Sequence, residues 1–256
     1  LFLFMNKFVF TLSFFLLAHF LLSQRNVKDS SIATPWLSVH YGGNWTEGDL
    51  SFRYGYLNHI GFSAGYKLQS NWVFKSDISF MFGNQVRLSG VFDHLIDSQG
   101  NITDVNGDIA MVYASPRGAY FNLDFGKIIP IFSPNENSGL YLSFGGGYLF
   151  HYLNVETQDQ VIPSLELDYK KGYDRFTSGL NIHQFIGYSF MANSGFYNFY
   201  GGIYFQEGFT KNRRTIFFDQ PNEPVSTDLR LDMQVGFRVG WMIPVYKRQP
   251  KSYYFN

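Results

Sequence analysis

The run Leu231-Asp232-Met233-Gln234-Val235-Gly236-Phe237-Arg238-Val239-Gly240-Trp241-Met242-Ile243 constrains this chain more than any other stretch. Odd positions hold Leu, Met, Val, Phe, Val, Trp and Ile. Even positions hold Asp, Gln, Gly, Arg, Gly and Met. Strict alternation with period 2 gives a strand one apolar and one polar face. Residues 36–46, 55–68, 71–84, 117–130, 139–153, 177–190 and 196–209 read the same way, so eight strands are predicted.

The faces can be assigned strand by strand. In the third, Trp72, Phe74, Ile78, Phe80 and Phe82 oppose Val73, Lys75, Asp77, Ser79 and Met81. In the fourth, Phe121, Leu123 and Phe125 oppose Tyr120, Asn122 and Asp124. In the fifth, Leu140, Leu142, Phe144, Tyr148 and Phe150 oppose Tyr141, Ser143, Gly145, Gly147 and His151. Alternation does not say which face points outward, because soluble barrels alternate too. Volume decides. About twenty large rings lie on the apolar faces, and an eight-stranded barrel has an interior only just filled by ordinary side chains. The row of Gly, Ser and Asn is expected inside. The apolar rows then face outward, which requires lipid.

Connections after strands two, four and six are short: Gln69-Ser70, Ile131 to Ser138, and Met191 to Gly195. Those after one, three, five and seven are long, at 47–54, 85–116, 154–176 and 210–228. Short turns on one side and long loops on the other fit an up-and-down transmembrane barrel with both termini periplasmic. Closure of strand eight on strand one is required, since an open edge would leave unpaired backbone groups in hydrocarbon. Trp36, Trp45, Trp72, Tyr152, Trp241 and Tyr246, near strand ends, are predicted to form interfacial girdles.

The N-terminus reads as a secretory signal over 1–23. Lys7 precedes a mostly apolar run from Phe8 to Leu22, and Ser23-Gln24 is the expected cut, although Leu21 breaks the small-residue rule. Met5 is the expected start, with Leu1 to Phe4 as upstream translation. The run is shorter than the ~20 residues of a spanning helix. Residues 24–35 are then a periplasmic N-terminal segment, 36–246 the barrel and 247–256 a periplasmic tail. Net charge is +0, which gives no reason to expect nucleic acid. With no Cys, disulfides, thiol catalysis and a lipid anchor on Cys are excluded.

With this layout, and with the strand texture of Tyr148 to Tyr152 and Gly236 to Trp241, the chain resembles the small eight-stranded outer-membrane barrels of the OmpX-like, OmpW-like and PorT-like groups. The resemblance covers roughly 36–246. It implies an all-β, eight-stranded antiparallel barrel in the bacterial outer membrane, in contact with lipid and lipopolysaccharide. The aromatic-rich texture is also similar to barrels of bacteria that use type IX secretion. Unlike the usual enterobacterial pattern, the chain runs on past a final strand, through Lys247 to Asn256.

Inside the barrel, Lys75, Asp77, Asp124, Asp232, Arg238, His40 and His183 form the expected polar network, with His151 near the outer end. Buried charges persist when paired. Lys75 is expected to meet Asp124, and Arg238 to meet Asp232 or groups on strand one. A hydrogen-bonded plug is favoured over an ion path. Neither metal-spaced histidines nor a cofactor motif occurs. Enzymatic small barrels of the lipid A deacylase type carry a His-x-Ser element, and no His here has Ser two positions on. Ser89 and His94 lie in the second long loop, and His59 near the first, without a spacing that pairs them. No catalytic role is expected.

The second long loop has turn chemistry at Asp97-Ser98-Gln99-Gly100-Asn101, so strands three and four are expected to continue as a ribbon whose edge recruits a partner. Asp104-Val105-Asn106-Gly107-Asp108 is a turn and not an EF-hand, having Gly misplaced and no bidentate Glu. Lys211, Arg213 and Arg214 are placed to meet lipopolysaccharide phosphates. In the tail, Lys247, Arg248 and Lys251 with Tyr253, Tyr254 and Phe255 suit docking to a periplasmic or outer-membrane protein partner. The expectation is a non-enzymatic structural or accessory subunit of an envelope or secretion complex. The alternatives are a narrow channel for small solutes and, third, a lipid-modifying enzyme.

Overall fold

The computed structural model describes residues 30–192 and 197–245. The predicted export signal, residues 24–29, Tyr246 and the predicted 247–256 tail lie outside the described residues. Eight long strands arise where alternation predicts them: β1 (Thr34–Gly48), β2 (Leu57–Lys67), β3 (Trp72–Gly83), β6 (Tyr113–Ile129), β7 (Gly139–Glu156), β8 (Thr177–Met191), β9 (Asn198–Asn212) and β10 (Arg230–Pro244). They close into an antiparallel barrel in the order β1-β10-β9-β8-β7-β6-β3-β2. The closing pair runs from Trp36↔Pro244 to Gly48↔Asp232. Two short strands, β4 (Ile102–Thr103) and β5 (Ile109–Ala110), pair only with each other.

The barrel's facing follows side-chain parity. Phe62, Ile78, Leu123, Phe144, Leu180, Ile203 and Val239 are exposed on the outside. Ser38, Ser63, Asp77, Asn122, Asn181, Gln206 and Arg238 are buried inside. A continuous apolar belt around a barrel whose strands satisfy one another's backbone groups is the structure that hydrocarbon selects. The chain is a transmembrane β-barrel.

The lumen departs from the small-residue filling expected for it. Besides polar groups it holds Met81, Tyr120 and Tyr141, whose parity already placed them inside, and also Trp36, Leu149, Phe185, Tyr200, Tyr204 and Met242. Among the described girdle candidates, Trp36 is the one the structure overturns. Only 5% exposed, it points inward at the short-turn end, against the face of Gly65. A Cβ on Gly65 would lie 2.4 Å from the Trp36 ring, so glycine provides the room that the indole fills. Trp45 and Tyr152 stand at the long-loop end, and Trp72 and Trp241 at the short-turn end. Trp72 stacks on Phe125 with centroids 4.5 Å apart.

The second long loop does not extend β3 and β6 as one ribbon. β3 stops at Gly83, and the only hairpin is the β4–β5 pair around Asp104 to Asp108. There the Asp104 carboxylate accepts the backbone N–H of Asn106 and Asp108. The rest of the loop folds inward. Val91 and Ala110 pack with Leu50, Tyr54, Leu153, Ile162, Leu165 and Tyr173 from the other loops and strand ends. Alternation marks strands but carries no signal for a core built between loops. The hydrophobic effect nonetheless drives these scattered apolar residues together over the barrel mouth.

Candidate functional site

Three layers close the barrel. At the short-turn end, the Lys67 ammonium donates to Ser31 Oγ at 3.1 Å, Ile32 O at 3.0 Å and Asn137 Oδ1 at 2.8 Å. Asn137 also accepts the Ile32 N–H at 2.9 Å. The 30–33 segment and the turn before β7 are thereby tied beneath the strands. The void left between Trp36, Lys67, Tyr141 and Met242 is about 10 Å³, at the lower limit of what one water needs.

The middle layer is a network of buried charges. Lys75 and Asp124 face each other across β3 and β6, with Nζ 2.8 Å from Oδ2. His183 reaches over Gly145 to place Nε2 3.0 Å from Asp124 Oδ1. Asp77 accepts hydrogen bonds from Ser63 at 3.0 Å and Ser79 at 3.1 Å, and lies 3.4 Å from His40. The Arg238 side chain, expected at Asp232 or at groups on strand one, pairs elsewhere. It crosses the lumen to Asp77, 3.4 Å away, and donates to Tyr120 OH at 2.7 Å and His59 Nε2 at 3.2 Å. Its guanidinium lies 4.0 Å from the Tyr204 ring centroid. Arginine only donates, so His59 Nε2 accepts and its Nδ1 carries the proton. Asn44 Nδ2 lies 3.2 Å from that Nδ1 and donates to Gln234 Oε1 at 3.0 Å.

Asp232 instead pairs with His151 at 2.8 Å and accepts from Thr210. The Tyr54 ring stands edge-on above His151, with centroids 5.6 Å apart. The polar network predicted from the sequence omits His59 and the four lumen tyrosines, although Tyr120 and Tyr141 stand on its inward rows. His59 shares parity with Gly61 and Ser63, and that signal places it inside.

The third layer is the loop cap. Arg53, buried at its base, donates to Thr177 Oγ1 at 2.6 Å, Asn212 Oδ1 at 2.8 Å and Arg175 O at 3.3 Å. Burial, reinforced by the nearby charge of Arg230, pushes its guanidinium down to about 10. Arg175 pairs with Asp219 and lies over the Phe217 ring, and Arg214 pairs with Asp174. Arg213 is tied to Ser178 at 2.9 Å. Of the basic residues expected to face lipid phosphates, Arg213 and Arg214 are therefore engaged within the protein, while Lys211 is exposed. Among the described residues no cluster of His, Asp and Glu has a geometry suited to a metal ion.

No protein-family model matches the chain, and no curated protein matches it. Among solved structures it is similar to Ail, the attachment invasion locus protein of Yersinia pestis. That likeness has 10% identity, covers 83% of this chain and 100% of that one, and has a TM-score of 0.39. A major outer membrane protein from Thermus thermophilus matches at 8% identity over 82% of this chain and 99% of that one, with a TM-score of 0.40. The outer membrane protein OprG from Pseudomonas aeruginosa matches at 9% identity over 84% and 99%, with a TM-score of 0.36. At these values the likenesses assign neither a family nor an activity.

Proposed function

We propose that the protein is a closed, non-enzymatic outer-membrane barrel, acting as a structural or accessory subunit of an envelope or secretion complex. The observation that carries this reading is the Arg238–Asp77 contact across the lumen, with Tyr120, Tyr204 and His59 packed around it. A solute passing through would have to break buried, mutually paired charges. With eight strands, both termini lie on the short-turn side, which in this reading is periplasmic. The tail from Lys247 to Phe255 is then available to a periplasmic partner, and the loop cap, with Lys211 exposed, meets lipopolysaccharide. Ser63, Ser79, His40 and Asp77 have the residue types of a hydrolytic triad, but all are buried inside the barrel, out of reach of a lipid substrate.

In planar bilayers the purified protein should give no discrete current steps; steps of stable amplitude overturn the closed reading. Deleting 247–256 should remove a co-purifying protein from native outer-membrane extracts. An unchanged set of co-purifying proteins overturns the accessory role. One observation favours a narrow channel as second reading: the side chains of Asn122 and Asn181 are buried without a hydrogen-bond partner. Such groups cost about 1–3 kcal/mol each when left dry, which favours a hydrated seam along β6–β8. The same recordings decide between the two.

A further inference from the structure

We propose that the loop cap over the barrel mouth is an acid-released lid, in which a proton taken up by buried His151 expels Arg53 and frees the first long loop from the far wall. The proposal goes beyond the accessory role and is independent of it, because the two lower layers stay in place.

The lid is pinned from across the mouth. Arg53 belongs to the loop joining β1 and β2, and β2 lies four strands from β8 around the closed barrel. Its guanidinium is nevertheless held at the far wall, by Thr177 Oγ1 of β8 and Asn212 Oδ1 of β9. These acceptors, and Arg175 O beside them, are all neutral. The backbone next to it carries the second long loop: Arg53 O accepts the Arg87 N–H at 2.8 Å, and Tyr54 bridges to Val86. Displacement of Arg53 is therefore passed to both loops.

His151 sits directly beneath. It lies twelve positions up β7 from Gly139. At ~3.4 Å per residue and a tilt of ~40° that is ~31 Å, above a ~25 Å apolar band and level with the base of the cap. It is 1% exposed and pairs with Thr177, which pairs in turn with Asn212. The two side-chain anchors of Arg53 thus continue the row that His151 begins. A carboxylate only accepts, so His151 Nε2 donates to Asp232 Oδ2 at 2.8 Å. Its Nδ1 is buried with no hydrogen-bond partner. A second proton, on Nδ1, would be a buried cationic donor without an acceptor.

The surrounding charges make that proton costlier. From β10, Asp232 and Arg230 face His151, with Arg230 3.8 Å from the carboxylate. The first long loop contributes Arg53 and Tyr54, β9 contributes Thr210, and β6 contributes Gly118. Asp174 and Arg175, close above, are already paired with Arg214 and Asp219. With a neutral imidazole, Arg53 and Arg230 face the single carboxylate of Asp232, and a proton doubles the positive excess. Arg230 stays beside Asp232. Arg53, held by neutral groups on a loop, is the charge free to swing into water. Tyr54 leaves with it and uncovers the His151 ring. Burial, opposed by the hydrogen bond to Asp232 and aided by the charges of Arg53 and Arg230, holds the imidazole below its ordinary value of 6.5. The uncovered ring regains that value, so the lid is fully stable above pH 6.5 and loses stability as the medium is acidified below it.

Double electron–electron resonance on the full chain in lipid vesicles tests this. The sequence has no Cys, so spin labels attach only at introduced positions. Phe52→Cys places one on the first long loop and Leu180→Cys places the other on the outer face of β8, both at exposed sites. Between about pH 8 and about pH 5 the separation should lengthen by several ångström, reversibly. His151→Gln keeps a donor for Asp232 but takes up no proton, and should hold the short separation at both values. His94→Gln, which removes the histidine stacked on Tyr173 elsewhere in the cap, should leave the acid response intact. An unchanged separation in the wild type, lengthening that survives His151→Gln, or a response lost with His94→Gln overturns the proposal. Heat-modifiable gel mobility checks the folding of each variant. If His151→Gln does not fold, Arg53→Gln decides: with one cation fewer under the lid, the transition should move to lower pH or vanish, and an unmoved midpoint overturns the proposal.

Discussion

Replacing Phe144 by arginine tests the facing of the barrel directly. Phe144 is 57% exposed on the outer face of β7, beside Phe125 of β6. Five positions separate it from Gly139, where β7 begins at the short-turn end. At ~3.4 Å per residue and a tilt of ~40°, that places it ~13 Å above the rim, half the height of a ~25 Å apolar band. An arginine at that depth costs about 2–4 kcal/mol. Leu231→Arg is the matched control on the same outer surface. It lies thirteen positions from Pro244, ~34 Å up by the same arithmetic and beyond the band, where the cost is about 0–1 kcal/mol. Guanidinium unfolding in lipid vesicles, followed by gel mobility and tryptophan fluorescence, reads both. Equal costs at the two sites, or no loss for Phe144→Arg, would refute the depth assignment and the outward facing with it.

Other perturbations separate the three layers. Arg238→Met leaves Asp77 buried without its guanidinium and should cost about 3–5 kcal/mol; combining it with Asp77→Asn should recover at least half, read by chemical denaturation. Leu165→Ala opens a cavity in the loop core and should weaken the cap by about 2–4 kcal/mol. Limited proteolysis should then cut within 157–176 while the barrel keeps its gel shift; an uncut loop contradicts the cap. In proteins retaining a single tryptophan, brominated lipids should quench Trp45, Trp72 and Trp241 but leave Trp36 bright. Quenching of Trp36 would show that it faces lipid after all.

Strands and facing were legible in the sequence because period 2 is a local property of the backbone. The alternation of Leu231 to Ile243 is enough to put Asp232, Gln234 and Arg238 on one side. Trp36 shares parity with Ser38 and His40 and so faces inward, although a tryptophan near a strand end has the composition of a girdle residue. Parity outweighs composition there. The partner of Arg238 was not legible. Sequence order gives neighbours along the wall, whereas Asp77 lies on a strand that is not hydrogen-bonded to β10. The loop core was invisible for a related reason: Leu50, Val91, Leu153 and Leu165 come from separate segments with no shared period.

The cross-lumen contact between Arg238 and Asp77 has a consequence for assembly. Asp77 is laid down early in the chain and Arg238 near its end, so each ion stays hydrated until the other arrives. A half-built sheet inserted in the bilayer would carry both charges uncompensated, at several kcal/mol per ion. Burial of either therefore waits for the last seam, β10 against β1, to zip. Partial insertion is disfavoured at every stage, and the wall should enter the membrane as an all-or-none event.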